Sequence, residues 1–214
     1  MIKAIIFDMD GVISDTQKIH AKVEKEILSR FGINISSKEI TKRYSGVKTS
    51  EFFDDILKRQ PQPYNLNELM VEKWKRMTKL GEKSIDEIDG ATELIRHLHN
   101  TGFKMAVASA SNQAYVKNVI RSLNLEKYFE FLVSGDMVTK GKPDPEIFLL
   151  AASKLQVNPK NCLVIEDGTS GMQAAKMGNM KCIGLVKSKN DEYPTKNLVL
   201  SLKEITPDYI NNLI

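Results

Sequence analysis

The stretch Ile2–Thr16 reads IKAIIFDMDGVISDT, a short apolar run that ends on two acids with one residue between them and a glycine just after. Ile2, Ala4, Ile5 and Ile6 have the continuous apolar character of a strand covered on both faces. Side chains at i and i+2 of a strand point to the same side, so Asp8 and Asp10 share one small volume. Like charges that close repel unless a cation or a proton lies between them. The stretch therefore predicts a positive partner at the carboxyl end of a buried strand, which is where open α/β sheets bind their ligands.

The rest of the chain supplies the sheet. From about Gly90 onward, helical periodicity alternates with short apolar runs. Helices are expected over Ala91–Asn100, Gln113–Leu123, Pro145–Lys154 and Gly171–Met177, and strands over Lys104–Ala108, Phe131–Ser134, Cys162–Ile165 and Cys182–Val186. With Lys3–Phe7 as first strand, this is the pattern of an α/β protein with a Rossmann-like, doubly wound parallel sheet. Between the first strand and Gly90 the chain is helical instead, over His20–Phe31, Ser37–Tyr44, Thr49–Arg59 and Asn67–Leu80, with the break QPQPYN before the last. The expected organisation is a core of residues 1–14 and 84–214 interrupted by a four-helix insert of residues 15–83.

Composition narrows the class. Hydrophobic residues make up 42% and charged residues 27% of the 214, as in an ordinary globular protein. No apolar run approaches the roughly 20 residues that span a bilayer, and no basic, apolar leader opens the chain, so the expected address is cytoplasmic, with no membrane partner. Cys162 and Cys182 each sit in an apolar stretch and read as buried, reduced thiols. His97 and His99 are two apart on a helical pattern and make a poor metal pair. The net charge is +4, but residues 15–83 hold 15 Lys and Arg against 10 Asp and Glu. Most of that excess reads as solvated helix surface; the sharper reading is a basic face toward an anionic substrate. No zinc-finger, RNP-type or helix-turn-helix signature accompanies it, which argues against nucleic acid.

Polar residues collect at the predicted strand ends: Asp8 and Asp10, then Ser109, Asp136, and Glu166 with Asp167. Asp8, Asp10 and Asp167 form an oxygen-rich set suited to a hard divalent ion, and Mg²⁺ commonly shares its remaining positions with a phosphate. Ser109 and the backbone N–H groups after it are placed to bind phosphoryl oxygens, with Lys142 supplying positive charge from the loop GKPDPEIF.

Taken in order, FDMDG, VASAS, GKPDP and IEDGTSG resemble the four motifs of the haloacid dehalogenase superfamily, within the subgroup that contains β-phosphoglucomutase and small-metabolite phosphatases. The resemblance spans essentially the whole chain and implies that the helical insert is a cap over the site. It implies that Asp8 is a nucleophile forming an aspartyl phosphate, and that Asp10 is the general acid and base. Mg²⁺ would be held by the Asp8 carboxylate, the Asp10 backbone carbonyl and Asp167, with Glu166 beside it. Ser109, Ala110 and Lys142 would hold the transferring phosphoryl group. Contacts to the rest of a small phosphorylated metabolite would come from His20, Gly46, Val47 and Lys48 in the cap and from Ser111 and Asn112 after the second motif. A cap that opens and closes over one site is compatible with a monomer.

The core motifs serve a phosphatase and a phosphomutase alike, and the acceptor, water or a sugar hydroxyl, decides between them. The mutases of this subgroup carry an arginine where this chain has Thr49, and a tryptophan where it has Glu24. These departures favour a Mg²⁺-dependent phosphatase, with β-phosphoglucomutase as the alternative and Lys48 as the expected cap contact. A phospho-acceptor receiver domain would need neither the cap nor the paired acids on strand one. A silent sugar-phosphate-binding module would have no need to keep both Asp8 and Asp10.

Overall fold

The structure is a computed structural model that describes residues 1–81 and 85–213. Its centre is β1 (Ala4–Phe7), flanked by β2 (Lys104–Ser109) and β4 (Cys162–Glu166), with β3 (Phe131–Ser134) beyond β2 and with β5 (Lys181–Leu185) and β6 (Asn197–Val199) beyond β4. Every pairing is parallel. The order 3-2-1-4-5-6 makes β1 the strand from which the chain winds in both directions, as the doubly wound reading expects.

The two sheet faces bury two separate cores. Ile5 and Phe7 point into one, with α5 (Ala91–Asn100) and α6 (Gln113–Ser122) against it. Ala4 and Ile6 point into the other, under α7 (Glu146–Lys154) and α8 (Thr169–Met177). These four β1 side chains are all buried, which is why the run is apolar at every position rather than at every second one.

Between β1 and α5 lie α1 (Gln17–Ser29), α2 (Ser37–Tyr44), α3 (Thr49–Leu57) and α4 (Leu66–Gly81). Their apolar faces meet one another, with Ile27, Phe53, Leu57 and Met77 fully buried. The boundary expected between residues 83 and 84 lies outside the described residues. Helix α1 starts three residues before the sequence pattern does, because Thr16 takes the N-cap position while the apolar spacing begins only at Ala21. Two elements were not anticipated: β6 is only three residues long and α9 (Pro207–Asn211) only five, both shorter than the windows over which periodicity shows. Cys162 and Cys182 are buried and unpaired, as expected. Among the described residues no helix is long and apolar enough to cross a membrane.

Register fixes the site. Phe7 pairs with Val107 on one side and Ile165 on the other, so one step further Asp8 stands beside Ala108 and Glu166. Asp8 and Glu166 therefore stand at the same height at the carboxyl edge of the sheet, with Ser109 one residue further along β2.

Candidate active site

After β1 the chain must leave the sheet at once, and Gly11 makes the turn with φ of 101°, a conformation that costs a side-chain-bearing residue roughly 1–2 kcal/mol. The backbone closes on itself there, with the N–H groups of Ile13 and Ser14 both donating to the Met9 carbonyl. This tight loop holds Asp8 and Asp10 in place.

Asp8 is buried and accepts a hydrogen bond from Lys142 Nζ at 2.5 Å; the same ammonium donates to Glu166 Oε1 at 2.8 Å. The other Glu166 oxygen accepts the Gly168 N–H at 2.5 Å. Glu166 thus holds Lys142 with one oxygen and its own loop with the other. Burial raises the Asp8 carboxyl to about 8, with Lys142 opposing and Glu166 and Asp10 adding to the rise. Burial alone would lower the Lys142 ammonium, but Asp8 and Glu166 overcome it and hold its pKa above the ordinary lysine value.

Asp10 is driven the other way. Its burial is outweighed by His20, Thr16 and Ser111, which hold the carboxyl well below the usual carboxylate range. Thr16 Oγ1 donates to Oδ1 at 2.5 Å, and Ser109 and Ser111 hydroxyls donate to Oδ2 at 3.1 and 3.0 Å. His20 Nε2 lies 3.2 Å from Oδ1 but off the hydrogen-bond line, so it acts as an electrostatic neighbour. Asp8 and Asp10 thus sit two residues apart in environments that push their carboxyls in opposite directions.

A further residue, Gln17, joins the helical insert to this edge. Its amide nitrogen lies against Asp167 Oδ2, the Asp10 carbonyl at 3.0 Å and Ser45 Oγ at 2.9 Å. Three oxygens converge on a nitrogen that carries only two hydrogens, so the spot holds more acceptor capacity than the amide can satisfy. Among the described residues no group of three or more His, Cys, Asp or Glu side chains is disposed to hold a metal ion. The set the resemblance implies is the Asp8 and Asp167 carboxylates and the Asp10 carbonyl, with Glu166 beside them; Asp167 Oδ2 and the Asp10 carbonyl already converge at the Gln17 amide, and hard oxygen acceptors of this kind fit Mg²⁺. Asp167 itself is raised by burial, then by Glu166 and Asp8, with Gln17 opposing.

A cavity opens above Asp8 and Asp10. Ala110 and Ser111 line it from the sheet side, and His20, Gly46 and Val47 from the insert. Two expected contacts lie elsewhere. Lys48, the extended N-cap of α3, directs its ammonium to the Val138 and Thr139 carbonyls, at 2.8 and 3.4 Å, and lines the groove beside the cavity, while Thr49 lines both. Asn112 caps α6, its Oδ1 accepting the Tyr115 N–H, and borders the adjacent groove. In their place, Glu24, Thr49 and Lys73 form the wall on the insert side. Lys73, in the run Lys73–Arg76 whose members could meet substrate but mostly read as solvated, is 2% exposed.

A parallel α/β sheet with a nucleophile-competent acid, a paired lysine and a second acid under a helical cover defines a phosphoryl-transfer type of site. The family profile described as haloacid dehalogenase-like hydrolase matches residues 5–185, and the chain belongs to that family. It is 31% identical over 191 residues to a phosphorylated carbohydrates phosphatase of Thermotoga maritima, covering 89% of this chain and 88% of that one. It is also 33% identical over 191 residues to the β-phosphoglucomutase of Bacillus subtilis, covering 86% and 83%. Among solved structures, CbbY of Rhodobacter sphaeroides in complex with phosphate superposes with a TM-score of 0.87 at 25% identity, over 99% of this chain and all of that one. The chain is thus an enzyme of the haloacid dehalogenase type, in the β-phosphoglucomutase-like group.

Proposed function

We propose that the protein is a Mg²⁺-dependent phosphatase of a small phosphorylated metabolite, a sugar phosphate by its relatives, with residues 15–83 acting as a cap over a core of 1–14 and 84–214. The observation that carries the reading is Asp8 at the cavity floor, ion-paired to a buried lysine, two residues from an acid held by three hydroxyls.

In this reading an Asp8 oxygen attacks phosphorus, the ester P–O bond breaks, and Asp10 delivers a proton to the departing oxygen. Asp10 then takes a proton from water as that water attacks phosphorus, and the bond to Asp8 breaks to release inorganic phosphate. Lys142 keeps Asp8 oriented and draws charge from the phosphoryl oxygens. Ser109 and Ser111 position Asp10, and the backbone around Ala110 faces the phosphoryl group. Mg²⁺, held by the Asp8 and Asp167 carboxylates and the Asp10 carbonyl, would neutralise charge on the transferring group.

The relationship to β-phosphoglucomutase keeps phosphomutase as a second reading. Purified protein with Mg²⁺ is expected to release phosphate from members of a sugar phosphate panel, and Asp8→Asn is expected to abolish that release. Efficient interconversion of β-glucose 1-phosphate and glucose 6-phosphate with little phosphate liberated would overturn the phosphatase reading.

A further inference from the structure

Glu24 from α1, Thr49 from α3 and Lys73 from α4 meet at the insert-side wall of the cavity above Asp8. Lys73 Nζ donates to Glu24 Oε1 at 2.5 Å and to Thr49 Oγ1 at 2.9 Å, and lies 4.8 Å from the centroid of the Trp74 ring. All three side chains are buried, at 7%, 6% and 2% exposure. The two positions at which the sequence departs from the mutases, Glu24 and Thr49, are therefore one physical site, joined by Lys73.

A buried ion pair is weak evidence for stability, because apolar residues of the same size pack at least as well. This one borders the cavity that holds the reacting acids, where its chemistry is available to a ligand. Its net charge is zero. Lys73 spends two of its three N–H donors on Glu24 and Thr49, so a second phosphate arriving here would share the ammonium with the Glu24 carboxylate and face that carboxylate's charge. A hydroxyl group suits the same wall, since it can donate to the Glu24 oxygen that Lys73 leaves unused and accept from Thr49. Burial makes the contrast larger, because water is not at hand to solvate a misplaced anion.

We propose that the Glu24–Lys73–Thr49 cluster selects substrates whose far end is hydroxylated and uncharged, and rejects a second phosphate. The inference rests on the phosphatase reading and sharpens it: the substrate is a monophosphate of a sugar or polyol. A mutase, whose turnover passes through a bisphosphate, would be poorly served by such a wall.

The test is binding to the catalytically inert Asp8→Asn chain with Mg²⁺, measured by titration calorimetry. Glucose 6-phosphate and fructose 6-phosphate are compared with glucose 1,6-bisphosphate and fructose 1,6-bisphosphate, and inorganic phosphate serves as the reference for the Asp8 end. Monophosphates are expected to bind at least tenfold more tightly than bisphosphates. Adding Glu24→Gln, which keeps a hydrogen bond to Lys73 but removes the charge, is expected to narrow that ratio at least tenfold by tightening the bisphosphates. Thr49→Val, which leaves the ion pair standing, should weaken monophosphates three- to tenfold relative to inorganic phosphate. Bisphosphates bound as tightly as monophosphates, or a ratio unmoved by Glu24→Gln, would overturn the proposal. Because binding is read without turnover, a failure here is distinct from a wild-type protein that releases no phosphate.

Discussion

Lys142 is 1% exposed and is the ammonium that bridges Asp8 and Glu166, with Asp167 next in the chain. Lys142→Met keeps most of the side chain's volume and removes the charge, so its cost isolates the ion pairs from packing. Breaking a buried pair by deleting one partner costs about 3–5 kcal/mol, because the partner is left buried and uncompensated. At roughly 2–4 °C per kcal/mol for a chain of this size, the melting temperature should fall on the order of 6–20 °C. The acids can limit the damage by taking up protons. Their pKa values then lie above those of the unfolded chain, the native state binds the extra protons, and the destabilisation must grow from pH 6 to pH 8. Urea unfolding followed by circular dichroism, in buffer with a chelator, reads the loss directly. Lys142→Met combined with Glu166→Gln should recover at least about 1 kcal/mol over additivity, since one stranded charge has been removed. A loss below about 1 kcal/mol for Lys142→Met, or strict additivity in the pair, would refute the view that this lysine neutralises the buried acids.

Three further outcomes are expected. At Gly171 an added Cβ would overlap the Glu166 carboxylate, so Gly171→Ala should displace Glu166 from Lys142, lower stability by about 1–3 kcal/mol and reduce turnover; unchanged phosphate release would argue against that packing. Burial raises the Cys162 thiol to about 11 and the Cys182 thiol further, so both stay protonated through pH 9; native protein should react with a thiol reagent only at its unfolding rate, and rapid labelling would contradict the buried positions. Excess chelator should abolish phosphate release and added Mg²⁺ should restore it, and full activity in chelator would remove the ion from the proposed chemistry.

What the sequence disclosed follows from how local each signal is. Asp8 and Asp10 were legible because strand periodicity and their spacing put them together before any tertiary fact was known. Ser109, Lys142 and Asp167 were legible because each directly follows, or lies in a short loop near, a strand end that a parallel sheet must bring to one edge. Gln17 gave no signal, since nothing in SDTQKIH says that its amide reaches across to Asp167, 150 residues away. Lys73 was half legible: in KWKR it is one of several cations that could meet substrate but mostly read as solvated, and only the meeting of α1, α3 and α4 singles it out by burying it. Lys48 and Thr49 show how little adjacency says about side-chain partners: both line the groove beside the cavity, but the Lys48 ammonium is taken by the Val138 and Thr139 carbonyls, and Thr49 also reaches the cavity above Asp8. Strand β6 escaped notice because three residues carry no period.

The placement of β1 at the middle of the sheet also has a consequence for how the chain is made. Ala4 pairs with Lys104 and with Cys162, so the first strand synthesised has no hydrogen-bonding neighbour until long stretches of later sequence exist. At about 5–20 residues per second on the ribosome, the interval before β2 emerges is on the order of 5–20 s. During that time the helical insert is complete and the apolar β1 is not covered by its sheet. Nascent chains stalled between residues 81 and 104 should therefore be the ones most dependent on chaperones, and an early contact between Ile13 or Val12 and the helices of the insert would be the device that shelters the N-terminus until its neighbours arrive.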